Sequence, residues 1–143
     1  MDEKKIELRV IAPTMATDKS PYRFHKAVDM VIMRCSTGDI GILPGRVPVS
    51  TVLGTGILRI FDEDTERHMV IMGGVAHVSD NIVTILSDSA QIPEELDPAA
   101  ITAELKELQS LYDKTADLNE KQTISKDIHR CKVQLEVAET IKR

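Results

Sequence analysis

Val75-Ala76-His77-Val78-Ser79-Asp80-Asn81-Ile82-Val83-Thr84-Ile85-Leu86 holds two β-prone runs on either side of two polar residues. Asp and Asn both tolerate positive φ, so Asp80-Asn81 suits the two-residue type I′ loop of a β-hairpin. The same grammar extends upstream. Ile57-Leu58-Arg59-Ile60-Phe61 reads as a strand, Asp62-Glu63-Asp64-Thr65 as a polar turn, and His68 to Met72 as the strand that runs back. Near the start, Ile6, Leu8 and Val10 alternate with Glu7, Arg9 and Ile11, the period-two pattern of a half-buried strand. Val28 to Met33 is a more apolar run. Residues 17–26 are polar and contain Pro21, which predicts a loop or an edge strand. Strands recurring at roughly ten-residue intervals form the pattern of an antiparallel sandwich or barrel.

Downstream of the hairpin the chain changes character at Pro93. All seven glycines lie before it, and Pro98 is the only proline after it. Residues 1–92 are therefore expected to form a β domain and residues 93–143 a helical one. Asp97-Pro98 is a helix start, an N-cap acceptor followed by proline at the first helical position. Ile101, Leu105, Leu108 and Tyr112 follow at helical spacing, with Leu111 beside them. Asp117 and Glu120 resemble a capping box for a second helix, with the stripe Ile124, Ile128, Cys131, Leu135 and Ala138. Two amphipathic helices joined by a few residues lie antiparallel, stripe to stripe. Both stripes are narrow, so the helical hairpin gains little from its own packing.

Composition narrows the function. The chain has 143 residues, 42% of them hydrophobic, but no Trp and only two Phe and two Tyr, so the core must be aliphatic. A net charge of −5 argues against nucleic acid as the main partner, because phosphate binding needs a basic footprint. Cys35 and Cys131 are too few and too far apart for a disulfide framework and read as buried thiols in a reducing compartment. No window reaches the ~18 apolar residues that span a bilayer, and Met1-Asp2-Glu3-Lys4-Lys5 is not a signal peptide, which points to the cytoplasm.

Chemistry-bearing motifs are sparse. His25, His68, His77 and His129 have no metal-ligand spacing, and His129-x-Cys131 puts its two groups on different sides of a helix. No nucleophile–base set can be assembled, so no catalytic residue, metal or cofactor is expected. Gly38-x-x-Gly41 and Gly54-x-Gly56 lack the context of a dinucleotide fingerprint, and Gly45 is not followed by the Lys-Ser/Thr of a P-loop, so turn glycines are the expectation. Asp62-Glu63-Asp64 reads as a solvated hairpin tip rather than a cation site. One stretch stands apart. Gly41 to Pro48 is apolar, with Ile42, Leu43, Val47, two prolines and two glycines. Proline fixes φ and removes donors, so such a loop is rigid and cannot pair along its length. It is either a corner buried against its own domain or a contact surface at the end of a sandwich.

Taken together, these segments resemble the epsilon subunits of rotary F-type ATP synthases. The similarity rests on the loop Gly38-Asp39-Ile40-Gly41-Ile42-Leu43-Pro44-Gly45-Arg46-Val47-Pro48, on Val28-Asp29-Met30-Val31 before it and on Thr55 to Ile60 after it. It continues through Gly73 to Val78, Val83 to Ala90, and Glu95-Leu96-Asp97. The resemblance implies a sandwich of about ten antiparallel strands with a C-terminal helical hairpin. It implies a non-catalytic rotor subunit, peripheral to the membrane on its cytoplasmic face, between the gamma subunit and the c-ring. One sandwich face would hold gamma. The loop would meet the c-ring through Asp39, Ile42, Leu43, Pro44, Gly45 and Arg46, with Asp39 and Arg46 as the charged contacts. The helices could extend toward the alpha and beta catalytic subunits and obstruct hydrolysis.

Some members of that family bind ATP on the folded helices. Here Leu96 and Asp97 match their signature, and Arg130 matches one arginine of the second helix. Ala100 stands where an arginine is expected, Ile101 replaces an alanine, and Gln134 replaces the next arginine. Losing guanidinium groups weakens an anion site, so a nucleotide role for Asp97 and Arg130 is expected to be weak or absent. The alternative from a different class is a free-standing nucleotide-sensing β-sandwich module built on the same two residues. A small β-sandwich enzyme is a third, disfavoured by the missing nucleophile–base set.

Overall fold

The computed structural model describes residues 5–12, 22–45 and 48–139. The chain divides into two compact units, Met1–Gln91 and Ile92–Arg143. The first is all β. Its strands are β1 (Ile6–Ile11), β2 (Tyr22–Val28), β3 (Met30–Cys35), β4 (Gly38–Ile42), β5 (Val49–Asp62), β6 (Thr65–Ser79), β7 (Ile82–Leu86) and β8 (Ala90–Gln91). They are hydrogen-bonded in the order β2-β1-β7-β6-β5-β3-β4, with β8 added to β6. The edge strand β2 comes back against the far end of β5, which closes the sandwich. Lys26 on β2 reaches the Asp62 carboxylate at the end of β5 at 2.9 Å, and Lys5 reaches the same carboxylate at 2.7 Å. Both ammonium groups hold the Asp62 pKa below the ordinary carboxylate range, the Lys5 hydrogen bond most of all.

Alternation in β1 is as the sequence predicts: Ile6, Leu8 and Val10 are buried, while Glu7, Arg9 and Ile11 are half-buried on the other face. The core is aliphatic. Leu8, Val10, Val28, Val31, Met33, Leu58, Ile60, Met69, Val70 and Ile85 are each no more than 2% exposed. Full burial of such side chains is worth about 1.5–3 kcal/mol each. The β6–β7 loop is the expected type I′ turn, with φ of 53° at Asp80 and 62° at Asn81.

The sandwich is the expected one, with eight strands among the described residues against the ten or so anticipated; strand division and glycines differ in detail. The segments read as separate, His68 to Met72 and Val75 to Ser79, are one continuous 15-residue strand. Gly73 (φ 72°) and Gly74 (φ 117°) bend β6 without breaking its ladder to β5, where Leu53 pairs with Gly74 and Thr55 with Met72. A Cβ on Gly74 would lie 2.1 Å from the Leu86 carbonyl oxygen, so both the backbone angle and the approach of β7 require glycine. Gly54-x-Gly56 lies inside β5 and not in a turn. One pairing is parallel, β1 beside β7 from Glu7–Ile82 to Ile11–Leu86. The polar segment before Val28 is in part the edge strand β2, from Tyr22 on; residues 13–21 lie outside the described residues.

Past the bend, the chain is laced along β6. The buried Ser87 hydroxyl faces the Gly73 and Ser89 carbonyl oxygens at 2.8 and 2.9 Å. The Met72 N–H donates to the Ser89 carbonyl at 3.0 Å, which leads β8 onto Val70 and Ile71.

The second unit opens with a 3-10 turn, Pro93–Glu95, followed by α1 (Pro98–Lys114) and α2 (Leu118–Glu139). Asp97 is the N-cap of α1 and accepts from the N–H groups of Ala99 and Ala100. Asp117 accepts from the Asn119 N–H at 3.0 Å at the start of α2. The apolar stripes are only partly as expected. Ile101 is the one buried residue of α1; Leu105 and Leu108 are half-buried, and Leu111 and Tyr112 are exposed. On α2, Ile124, Cys131 and Ala138 are buried with Val133, Gln134 and Val137, while Ile128 and Leu135 are half-buried. The buried face of α2 is thus wider than a single seam. Both cysteines are free and buried.

Candidate functional site

The loop singled out in the sequence resolves into an edge strand and a tight turn. Gly38 to Ile42 is β4, which pairs with β3 alone at the end of the sheet order. Asp39 faces Arg34 across this hairpin, Oδ1 to Nη1 3.1 Å, and both side chains are more than half exposed. An exposed pair contributes about 0–1 kcal/mol, so it re-partners easily. Ile42 is completely buried. Its side chain therefore anchors the loop and is not presented at the surface, unlike its neighbour Leu43, which is 56% exposed. Pro44 is half-buried and Gly45 exposed, with φ of 84° at Gly45. No Cβ would clash at Gly45, so it is the backbone angle that favours glycine there. The Gly45 N–H donates to Asn81 Oδ1 at 2.7 Å. Arg46 and Val47 lie outside the described residues. The loop is thus both things the sequence left open, a corner rooted in the core at Ile42 and an exposed edge at Asp39, Leu43 and Gly45.

A second surface emerges only from strand register. Direct cross-strand partners share one face of a sheet. Tyr22 pairs with Ile11, Ile11 with Leu86, Leu86 with Val75, and Val75 with Val52. This places an apolar row across β2, β1, β7, β6 and β5 on the face opposite the core. Val52 is 60% exposed, Val75 47% and Leu86 48%. Beside it runs a polar row of His25, Arg9, Thr84, His77 and Ser50, paired by the same registers. The polar side chains are tied down. The Arg9 Nε–H donates to Glu7 Oε2 at 2.6 Å, His25 Nε2 lies 2.7 Å from the same oxygen, and Ser50 Oγ lies 2.8 Å from His77 Nδ1. The His25 and Arg9 hydrogen bonds pull the Glu7 pKa below the ordinary carboxylate range. Five strands thus present on one face an apolar row beside a hydrogen-bonded polar one. The sequence signal was available: Val10-Ile11, Val52-Leu53, Val75-Ala76 and Ile85-Leu86 are adjacent apolar pairs. Neighbours on a strand face opposite sides, so one of each pair must point outward.

The two residues weighed for nucleotide binding both have intramolecular partners. The Asp97 carboxylate caps α1. Arg130 Nη2 donates to Glu104 Oε2 at 2.7 Å, across the hairpin, and Nη1 donates to Gln134 Oε1 at 3.0 Å. Arg130 lowers the Glu104 pKa, chiefly through this hydrogen bond, and Glu104 raises that of Arg130. Cys131, next along, is buried, and desolvation pushes its thiol pKa up. At the turn end of the helices Lys121 Nζ stands 4.7 Å from the centre of the Tyr112 ring. Among the described residues no group of three or more His, Cys, Asp or Glu side chains is placed to hold a metal ion. None of the described helices is long and apolar enough to cross a membrane.

Residues 7–93 match the profile of the ATP synthase delta/epsilon chain β-sandwich domain. An ATP synthase epsilon chain of a Synechococcus strain is 30% identical over 132 residues, 92% of each chain. That of Caldicellulosiruptor saccharolyticus is 42% identical over 74 residues, 52% of this chain and 54% of its own. Among solved structures, a chain in the Euglena gracilis mitochondrial ATP synthase (OSCP/F1/c-ring) aligns with a TM-score of 0.67 at 24% identity. That alignment covers 96% of this chain and 79% of the other. A chain of the Tetrahymena thermophila mitochondrial ATP synthase central stalk and c-ring aligns at 0.59 and 13% identity, over 96% and 99% of the two chains. Identities this low bear on the fold alone.

Proposed function

This chain belongs to the epsilon-chain family of ATP synthases, and from that premise we propose that it is a non-catalytic rotor subunit joining the gamma subunit of the central stalk to the c-ring. The observation that carries the proposal is the register-aligned row Val52, Val75 and Leu86, exposed on a sheet whose other face is the core. Rows of exposed aliphatic side chains on an ordered sheet face suit a permanent protein partner better than solvent. On this reading the five-stranded face holds gamma. The edge formed by exposed Asp39, Leu43 and Gly45 with half-buried Pro44, together with Arg46, meets the c-ring, and the chain is held peripherally on the cytoplasmic side of the membrane.

The chain's own groups do no covalent chemistry in this role. The helical unit would regulate, obstructing ATP hydrolysis through the alpha and beta catalytic subunits. Its capped Asp97 and paired Arg130 support weak or no ATP binding, which disfavours the nucleotide-sensor alternative. Binding of purified chain to gamma tests the central claim. Val75→Asp, which puts a charge in the middle of the row, should lower gamma affinity by about a hundredfold or more. An unchanged affinity would remove the docking face. Truncation after Asp97 should leave assembly intact while changing the hydrolysis rate of the reconstituted catalytic complex; loss of assembly would contradict this division of labour.

A further inference from the structure

Turn chemistry alone favours glycine at the second central position of a type I′ loop, because both positions need positive φ. Here that position is Asn81, at φ 62°. Its side chain is turned to a specific use. Oδ1 accepts from the Gly45 N–H at 2.7 Å, across 36 positions of sequence. Its own carbonyl accepts from the Glu7 N–H at 2.8 Å, which ties the turn to the start of β1. Ile42, meanwhile, is completely buried. The exposed Leu43 and half-buried Pro44 are therefore fixed on both sides, by a core anchor before them and by a hydrogen bond to a separate turn after them. Proline already fixes φ at position 44, so the loop has little freedom left between these points.

We infer that Asn81 is a positioning residue that holds Leu43 and Pro44 of the edge loop in the conformation that docks on the c-ring. The inference rests on the c-ring reading of that loop proposed above. Preorganisation of a contact loop raises affinity by removing the ordering penalty from the binding step. Two substitutions separate the side chain's role from the turn's. Asn81→Gly keeps the positive φ and removes the acceptor. Asn81→Asp keeps an acceptor at the same place and also tolerates positive φ.

The experiment measures, for the full chain in complex with gamma, affinity for purified c-ring in lipid nanodiscs. Affinity for gamma and amide hydrogen exchange at Gly45 are measured in parallel. Asn81→Gly should weaken c-ring binding roughly two- to tenfold, the range of one ordinary hydrogen bond, and speed exchange at Gly45, with gamma affinity unchanged. Asn81→Asp should restore both readouts. Leu43→Asp is the control for the docking reading and should weaken c-ring binding severely. Normal c-ring affinity in Asn81→Gly, with Leu43→Asp impaired, would overturn the positioning role and leave the docking loop standing. Normal affinity in Leu43→Asp would remove the docking loop and the positioning role with it. An equal loss of gamma affinity in Asn81→Gly would reduce Asn81 to a general structural residue.

Discussion

The two units of this chain are held together by different means. In the sandwich, fourteen large aliphatic side chains spread over seven strands are at most 2% exposed among the described residues. In the helical unit, α1 buries Ile101 alone against six buried residues on α2, and the best-defined polar tie between the helices is Arg130 of α2 to Glu104 of α1. Apolar burial scales with area and resists change in salt or pH, whereas a half-buried ion pair responds to both. The contrast teaches where conformational change is inexpensive. The sandwich is a fixed platform, and the helices are the part whose pairing can be altered by small perturbations.

The largest test of this contrast lies in the platform. Leu58→Ala removes a side chain 1% exposed and should cost about 2–5 kcal/mol, seen as a lowered urea midpoint of the sandwich transition. A loss below about 1 kcal/mol would mean that this core is not close-packed. Next comes Ser87→Ala, which strips the hydroxyl from the carbonyls of Gly73 and Ser89 in a buried place. It should cost about 1–3 kcal/mol and loosen β8, read as faster amide exchange at Gln91.

Arg130→Ala probes the other side of the comparison. It should lower stability by only about 1 kcal/mol. Exchange should speed along α1 and α2 while the sandwich amides remain protected, and equal acceleration in both units would break the distinction. The same pair predicts a pH response. Arg130 lowers the folded-state pKa of Glu104. The stability it contributes is therefore complete above the ordinary carboxylate range and is lost as acid takes pH down through the lowered value. Helical signal should fall in that acid window in the wild type, and the part due to this pair should be missing in Glu104→Gln. The smallest effect is expected from Asp39→Asn, whose exposed partner Arg34 leaves stability within about 0.5 kcal/mol. A larger loss would make Asp39 part of the platform rather than a free surface group.

How much could be read in advance follows the same division. The β1 alternation, the Asp80-Asn81 turn and the Asp97-Pro98 helix start were legible because each depends on neighbours in sequence. The continuity of β6 was not, since Gly73-Gly74 looks like a break and becomes a bend only because β5 pairs across it. The parallel β1–β7 pairing brings together segments from opposite ends of the domain, which no local period encodes. The same is true of the face carrying Val52, Val75 and Leu86: each residue looked like ordinary strand hydrophobicity until register lined them up. Of the candidate edge, Leu43 and Asp39 are exposed, while Ile42 is core because β4 hands it inward beside Val31. On the helices, periodicity found the stripes but not their width, and Arg130 was weighed for a ligand when its partner was Glu104 one helix away.

The parallel pairing of β1 with β7 also orders events in time. As the chain leaves the ribosome, β1 and β2 can form a hairpin early, because both are near the beginning. The other edge of β1 stays open until Ile82 to Leu86 have been made, nearly the whole sandwich later. Contacts so distant in sequence slow folding, and an open apolar edge is what draws chains into aggregates during synthesis. The nascent sandwich is therefore expected to be most in need of protection just before its seventh strand arrives, and to become safe in a single late step.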